Sequence, residues 1–294
     1  YIMIPSLLQI PSAVSDSKLH SVLPNNGKGD FQFDRSTGAT RINRDGLIEE
    51  VGYFSSELVQ NGNFSELGSE LIVNGDFATN TDWTPQTGWT ILNGKATCDG
   101  TNFATISQSK TLVVGKTYKY SFTISNLTQG GVRLFVGNSV GATHSANGTF
   151  TGYITYSSGS SILLQARDSF IGSIDNVSVK QVDPNDRWTL GTGWGLTTSA
   201  NWDTSLNSGN AALEQNYSFE AGKNYRLKFD ISNNTTGRLF IRLEGASFQS
   251  LNSTYTEYAD GSYIINFNST HNNTVIKFWG NGTYGSFSID NISL

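Results

Sequence analysis

The sequence predicts an all-β protein: two tandem β-sandwich modules preceded by an extended, hairpin-bearing N-terminal segment. Three observations predict this class: a composition suited to strands and turns, an internal duplication, and alternation of apolar residues within the duplicated blocks. Of 294 residues only 15% are charged and 37% hydrophobic, yet 12% are aromatic, and Ser, Thr, Asn and 31 glycines fill the difference. Aromatic residues spread along the whole chain can close a core, which argues against disorder. Thr and aromatic side chains suit pleated surfaces, while Gly and Asn supply corners with positive φ. No long segment carries a helical period, so helix is expected to be scarce.

The duplication organises the chain. WTPQTGWTI from Trp83 is matched by WTLGTGWGL from Trp188, which pairs Trp83 with Trp188 and Trp89 with Trp194 at an offset of 105. VGKTYKYSFTISN (Val114–Asn126) matches AGKNYRLKFDISN (Ala221–Asn233) at 107. RLFV (Arg133–Val136) matches RLFI (Arg238–Ile241) at 105, and SIDNVSV (Ser173–Val179) matches SIDNISL (Ser288–Leu294) at 115. The order is kept and the offset drifts only by loop-sized amounts, as expected of two homologous modules.

Each block reads as a strand. Tyr118, Tyr120, Phe122 and Ile124 alternate with polar residues, and Tyr225, Leu227, Phe229 and Ile231 repeat the pattern; this period of two marks half-buried strands. In the closing block the apolar phase slips across Asp-Asn, from Ile174 to Val177 and from Ile289 to Ile292, as a β-bulge would make it. Gly115-Lys116 and Gly222-Lys223 read as tight turns, because no glycine-rich loop and helix accompany them to make a phosphate site. Short strands with frequent turns favour a two-sheet sandwich.

The resulting division is an attachment segment over 1–52, a linker over 53–69, and modules over 70–182 and 183–294. The linker holds an echo: ELVQNGNF (Glu57–Phe64) precedes ELIVNGDF (Glu70–Phe77) by 13 residues, while the second module lacks such an opening of its own. In the first segment Phe31 and Phe33 alternate, a turn at Asn43–Gly46 predicts a hairpin, and Arg35, Arg41 and Arg44 lie among acidic residues. So small a stretch cannot hold a core alone. These five aromatic and arginine residues are therefore candidates for docking on a partner.

Several function classes are disfavoured. The net charge is −5 with no basic cluster, so nucleic acid is not an expected partner. Cys98 is the single cysteine, which excludes an internal disulfide and a thiolate metal cage. Nothing reaches membrane-spanning length, and no membrane insertion is expected. His144 and His271 lie in loop-like contexts, and no pair of carboxylates stands out, so the chain is read as non-enzymatic.

At ELIVNGDF, the tryptophan-rich strand and the closing SIDNVSV, the chain resembles carbohydrate-binding modules of the galactose-binding-like jelly-roll fold. The resemblance covers residues 70–182 and reaches 183–294 through the duplication. The stretch SVLPNNGKGDFQFDRSTGATRINRDGLIEEVG (Ser21–Gly52) resembles the N-terminal part of bacteriophage virion proteins such as tail or head fibres. Together these imply a structural virion surface protein, a capsid decoration or fibre. Residues 1–52 would hold it to capsid or tail proteins, and its modules would face host surface glycans. The alternatives are a receptor-binding tail-fibre adhesin and a secreted polysaccharide-binding protein. A homo-trimer is expected only by analogy with fibres in general.

The jelly-roll resemblance also implies a structural calcium as the one candidate cofactor, with Asp76 and Asp175 in the first module and Asp290 in the second. Ala78 stands where the family has an acidic ligand, which would weaken such a site. The other reading makes Asp175 an acceptor of backbone hydrogen bonds at the bulge. Sugar binding needs aromatic faces and a few polar side chains. The repeated tryptophans are expected in the core. The candidates for ligand contact are Trp202, Trp279 and Tyr284 in the second module, and Phe103, Phe170, Arg167 and Asp168 in the first.

Overall fold

The computed structural model describes residues 55–294 in full. Before them it gives the backbone of five short strands, Pro11–Ser15, Lys18–Ser21, Phe31–Gln32, Ala39–Ile42 and Ile48–Val51. The chain forms two compact units, Tyr1–Glu57 and Leu58–Leu294. Within the first, Ala39–Ile42 pairs antiparallel with Ile48–Val51, in the hairpin arrangement expected there. The side chains of Phe31, Phe33, Arg35, Arg41 and Arg44 lie outside the described residues.

The second unit is all-β, with antiparallel ladders and no helix among the described residues. In the first sandwich two long strands, Thr117–Val136 and Ser161–Val182, pair with each other along most of their length and serve both layers. Register shifts between Ser125 and Gly131 mark the bend where they pass from one layer to the other. In the second sandwich the equivalent strands are interrupted. Asn224–Ser232 is followed by Arg238–Glu244, and Val275–Asn281 by Phe287–Ser293, which gives separate sheets of five and six strands.

Alternation places one core in each sandwich. Tyr118, Tyr120, Phe122 and Ile124 are buried in the first, and Leu227, Phe229 and Ile231 in the second. The tryptophans Trp83, Trp89, Trp188 and Trp194 are buried as expected. The slip across Asp-Asn is a bulge in both copies: the register shifts opposite it at Ser121/Thr123 and at Lys228/Asp230. Asn176 and Asn291 sit there at φ 52° and 49°, a region that Asn tolerates better than most residues.

One sequence match is corrected by the register. Gln108 stands opposite Ile162, which faces Val136; Gln215 stands opposite Ile276, which faces Leu243. Val136 therefore corresponds to Leu243, and Arg133 to Phe240. The RLFV and RLFI strings are two residues out of structural register, a slip that alternation cannot detect because it leaves every side chain on the same face.

The stretch expected as a linker is not one. Val59 and Phe64 are buried in the core of the second sandwich, beside Trp188, Phe278 and Ile292. Phe64 packs on Trp188 with ring centroids 5.4 Å apart, as Phe77 packs on Trp83 at 5.1 Å. The Trp188 indole donates to the Asn61 carbonyl at 3.0 Å, and the Trp83 indole to that of Asn74 at 2.8 Å. The Gln215 amide group brackets the Gln60 backbone, accepting from its N–H and donating to its carbonyl, both at 2.8 Å; Gln108 brackets Val73 in the same way. Ile292 N–H donates to the Gly62 carbonyl and Val177 N–H to that of Gly75, each at a glycine where an added Cβ would strike the donating residue's own carbonyl.

The second copy thus has its NGxF opening, but that opening precedes the whole first module in the chain. Leu67–Glu70 and the end of Ser161–Val182 form the antiparallel pair through which the chain enters and leaves the first sandwich. The first module is an insertion in the second. The Glu57–Phe64 echo is the visible trace of that nesting in the sequence.

Candidate functional site

Outward-facing residues of the layer that carries Asn210–Asn216, Val275–Asn281 and Arg238–Glu244 form the most chemically equipped face of the second sandwich. Side chains on one face recur every second residue, so the register sorts them into rows. One row is Ala212, Trp279 and Phe240; the next is Glu214, Lys277 and Arg242. On the other side of Trp279 lie Asn210 and Asn281, with Arg238 one step along its own strand.

The indole of Trp279 is half-buried and its surroundings fix its position. The Arg242 guanidinium lies 4.4 Å from its centroid and the Lys277 ammonium 5.8 Å away. Lys277 bonds Glu214 at 2.8 Å and Glu244 at 3.0 Å, and Arg242 also pairs with Glu244. Partial burial works to lower the Lys277 pKa, but its hydrogen bonds to Glu214 and Glu244 outweigh this and hold it above the usual lysine value. Phe240 is nearly buried beneath Phe248 and Tyr255, whose loop closes one flank. At the other end Arg238 stacks on Tyr284 at 3.9 Å and reaches Glu257 at 4.0 Å.

Trp279 and Tyr284, expected as ligand contacts, therefore belong to one face. Trp202 does not. It is 1% exposed, packs on Trp194 with centroids 5.6 Å apart, and presses on Gly280, where a Cβ would meet its ring at 2.2 Å. The reason is local: Trp202 falls on an inward position of Ala200–Trp202, in phase with buried Ala200.

In the first sandwich the expectation divides the same way. Phe170 is fully buried against Trp89, so it is core and not a contact residue. Phe103 is 52% exposed at φ 63°, and the Arg167 guanidinium lies 4.5 Å from its centroid. It rims an open cleft of about 570 Å³ with Pro85, Gln86, Thr87, Thr101 and Asn102. Asp168 is exposed at φ 50°. Arg133 stands across from Gln165 and donates to its Oε1 through Nε at 3.2 Å and Nη2 at 2.9 Å. Sequence reasoning missed Arg133, Phe240 and Arg242 as face residues, although a two-residue slip keeps the phase and alternation with buried Leu134, Leu239 and Leu243 already turns them outward.

His144, expected in an exposed loop, is instead half-buried. It stacks on Phe150 at 4.3 Å, and desolvation lowers its pKa. The calcium residues do not assemble a cage. Asp76 is exposed and accepts from Ala78 N–H at 3.3 Å, while Asp175 and Asp290 each accept from the following Asn N–H at 2.7 Å. No group of three or more His, Cys, Asp or Glu comes together among the described residues.

No family model matches the chain, and no curated protein does. Solved structures similar to it include the CBM22-1–CBM22-2 tandem domain of Paenibacillus barcinonensis Xyn10C, at 11% identity and TM-score 0.31, covering 78% of this chain and 98% of that one. The tandem CBM51 modules of Sp3GH98 from Streptococcus pneumoniae share 8% identity at TM-score 0.25, covering 78% and 96%. Allantoicase from Saccharomyces cerevisiae shares 9% at TM-score 0.31, covering 81% and 92%. These structures include both tandem carbohydrate-binding modules and an enzyme.

Proposed function

We propose that the chain is a non-catalytic glycan-binding protein whose second sandwich presents the binding face. The carrying observation is Trp279, held half-exposed at the centre of that face. The Arg242 guanidinium lies 4.4 Å from the centroid of its ring, and Asn210 and Asn281 stand in the neighbouring row of the same face. An indole face stacks on the CH surface of a pyranose, and neighbouring amides serve its hydroxyls. Arg242 and Lys277, tied to Glu214 and Glu244, fix the platform before any ligand arrives; such preorganisation favours binding. The same ties support a binding role over hydrolysis, since the face carboxylates Glu214, Glu244 and Glu257 are all engaged by cations.

A single site of this kind binds weakly, so the test is multivalent display on a glycan array. Wild-type chain is expected to mark a set of glycans, and Trp279→Ala to lose them by about tenfold or more. An unchanged array pattern with Trp279→Ala would sink this reading.

The place of action we read from the first 52 residues. Their likeness to virion attachment segments supports a capsid decoration or fibre, held to capsid or tail proteins; a trimer is expected only by analogy with fibres in general. Electron microscopy of particles lacking the chain tests this: loss of surface density is expected, and an unaltered particle surface would refute it.

A further inference from the structure

The same layer of the first sandwich offers the same rows with different chemistry. Where the second has Ala212, Trp279 and Phe240, the first has Thr105, Gln165 and Arg133. One step along, Arg167 faces Gly131, and Phe103 lies on its other side; one step back come Ser107, Leu163 and Phe135. Arg133 and Arg167 therefore stand two residues apart along one face. Each guanidinium lies against an aromatic ring, Arg133 at 4.9 Å from Phe135 and Arg167 at 4.5 Å from Phe103.

Charge separates the two faces. In the second sandwich Arg238, Arg242 and Lys277 all have carboxylate partners in Glu257, Glu244 and Glu214. None of the rows around Arg133 and Arg167 contains a carboxylate, and neither arginine forms an ion pair among the described residues. Arg133 rests on the neutral Gln165 amide. Asp168, next to Arg167 in the chain, is exposed and pairs with nothing among the described residues. Two guanidiniums without counter-ions, beside an exposed ring and a cleft lined by Gln86, Thr87 and Asn102, form a site complementary to an anion carried on a sugar.

We propose that the first sandwich holds a second, separate binding site, selective for carboxylate-bearing saccharides, uronates or sialates. Arg133 and Arg167 bind the carboxylate, and Phe103 stacks on the pyranose. Phe103 is 52% exposed, so its ring is free to meet a ligand. The proposal extends the glycan-binding reading to a different module and stands on different residues.

The test uses the full chain, displayed multivalently, in a Trp279→Ala background that removes the other face. The array carries uronate and sialate glycans, their carboxyl-reduced counterparts, and sulfated neutral glycans. Binding to the carboxylate forms is expected to persist and to weaken as salt is raised. It should fall about tenfold or more when Arg133→Gln and Arg167→Gln are combined. Both positions are half-exposed, and an unchanged melting temperature shows that the variant is folded. Equal binding of the carboxyl-reduced forms, or no binding to any carboxylate glycan, overturns the proposal. Sulfated glycans bound as well as carboxylates would overturn the carboxylate selectivity. If Trp279→Ala alone abolishes every interaction, the first-module site is refuted while the second-module reading stands.

Discussion

Phe64 and Asp290 show how much of the second sandwich depends on single side chains. Phe64 is 1% exposed and, with Val59, closes a core whose other buried members follow by more than a hundred residues. Phe64→Ala is expected to cost about 3–5 kcal/mol, read as earlier denaturant unfolding of the second sandwich. Unfolding of the first sandwich alone would contradict the nesting. Asp290 lies across from Asp230, and burial, with that neighbouring charge, raises its pKa despite the N–H of Asn291. A carboxyl whose pKa rises on folding favours the folded state at pH below its unfolded value of about 3.9 and loses that contribution as pH rises through the folded value. Asp290→Asn is therefore expected to raise the melting temperature at neutral pH by about 1–2 °C, with the gain vanishing in acid. A gain independent of pH would point to packing instead. At this scale the sequence was only half legible. Adjacent Phe278 and Trp279 on one strand must take opposite faces, but whether Trp202 points in or out depends on the phase of a three-residue strand, too short to show a period.

Strands and turns were more legible than single side chains, because alternation is a property of a run. The Tyr/Phe ladders, the closing bulge and the hairpin before residue 52 all lie where the pattern puts them. What misled was the string RLF, whose repetition outweighed register. The core shows how the two copies diverged as elements: Trp89 is covered by Phe170, from the later strand, and Trp194 by Trp202, from the earlier one. Gly280 makes the second solution possible, since Trp202 lies where its side chain would be. Gly280→Ala is expected to destabilise the second sandwich by about 1–3 kcal/mol, and Trp202→Phe in the same chain to recover part of the loss. Failure of that rescue in thermal unfolding would mean that the glycine serves the backbone and not the indole.

For the whole molecule, the duplication predicted two sandwiches, and two cores are present. Their arrangement could not be read as beads in sequence, because segments joined by hydrogen bonds need not be neighbours in the chain. Leu58 N–H donates to the carbonyl of Leu294, so the entry and exit of the unit sit side by side in the second sandwich. Tension applied between those two ends travels through that sandwich alone. The inserted module carries no load until the opening stretch has been pulled free. In optical tweezers, two rips are expected in a fixed order, the second sandwich always first. Weakening the first module with Phe77→Ala should leave the force of the opening rip unchanged. A tether at the N-terminus would thus strain the Trp279 face while sparing the arginine face, like a pendant hung from a link and not a bead on the string.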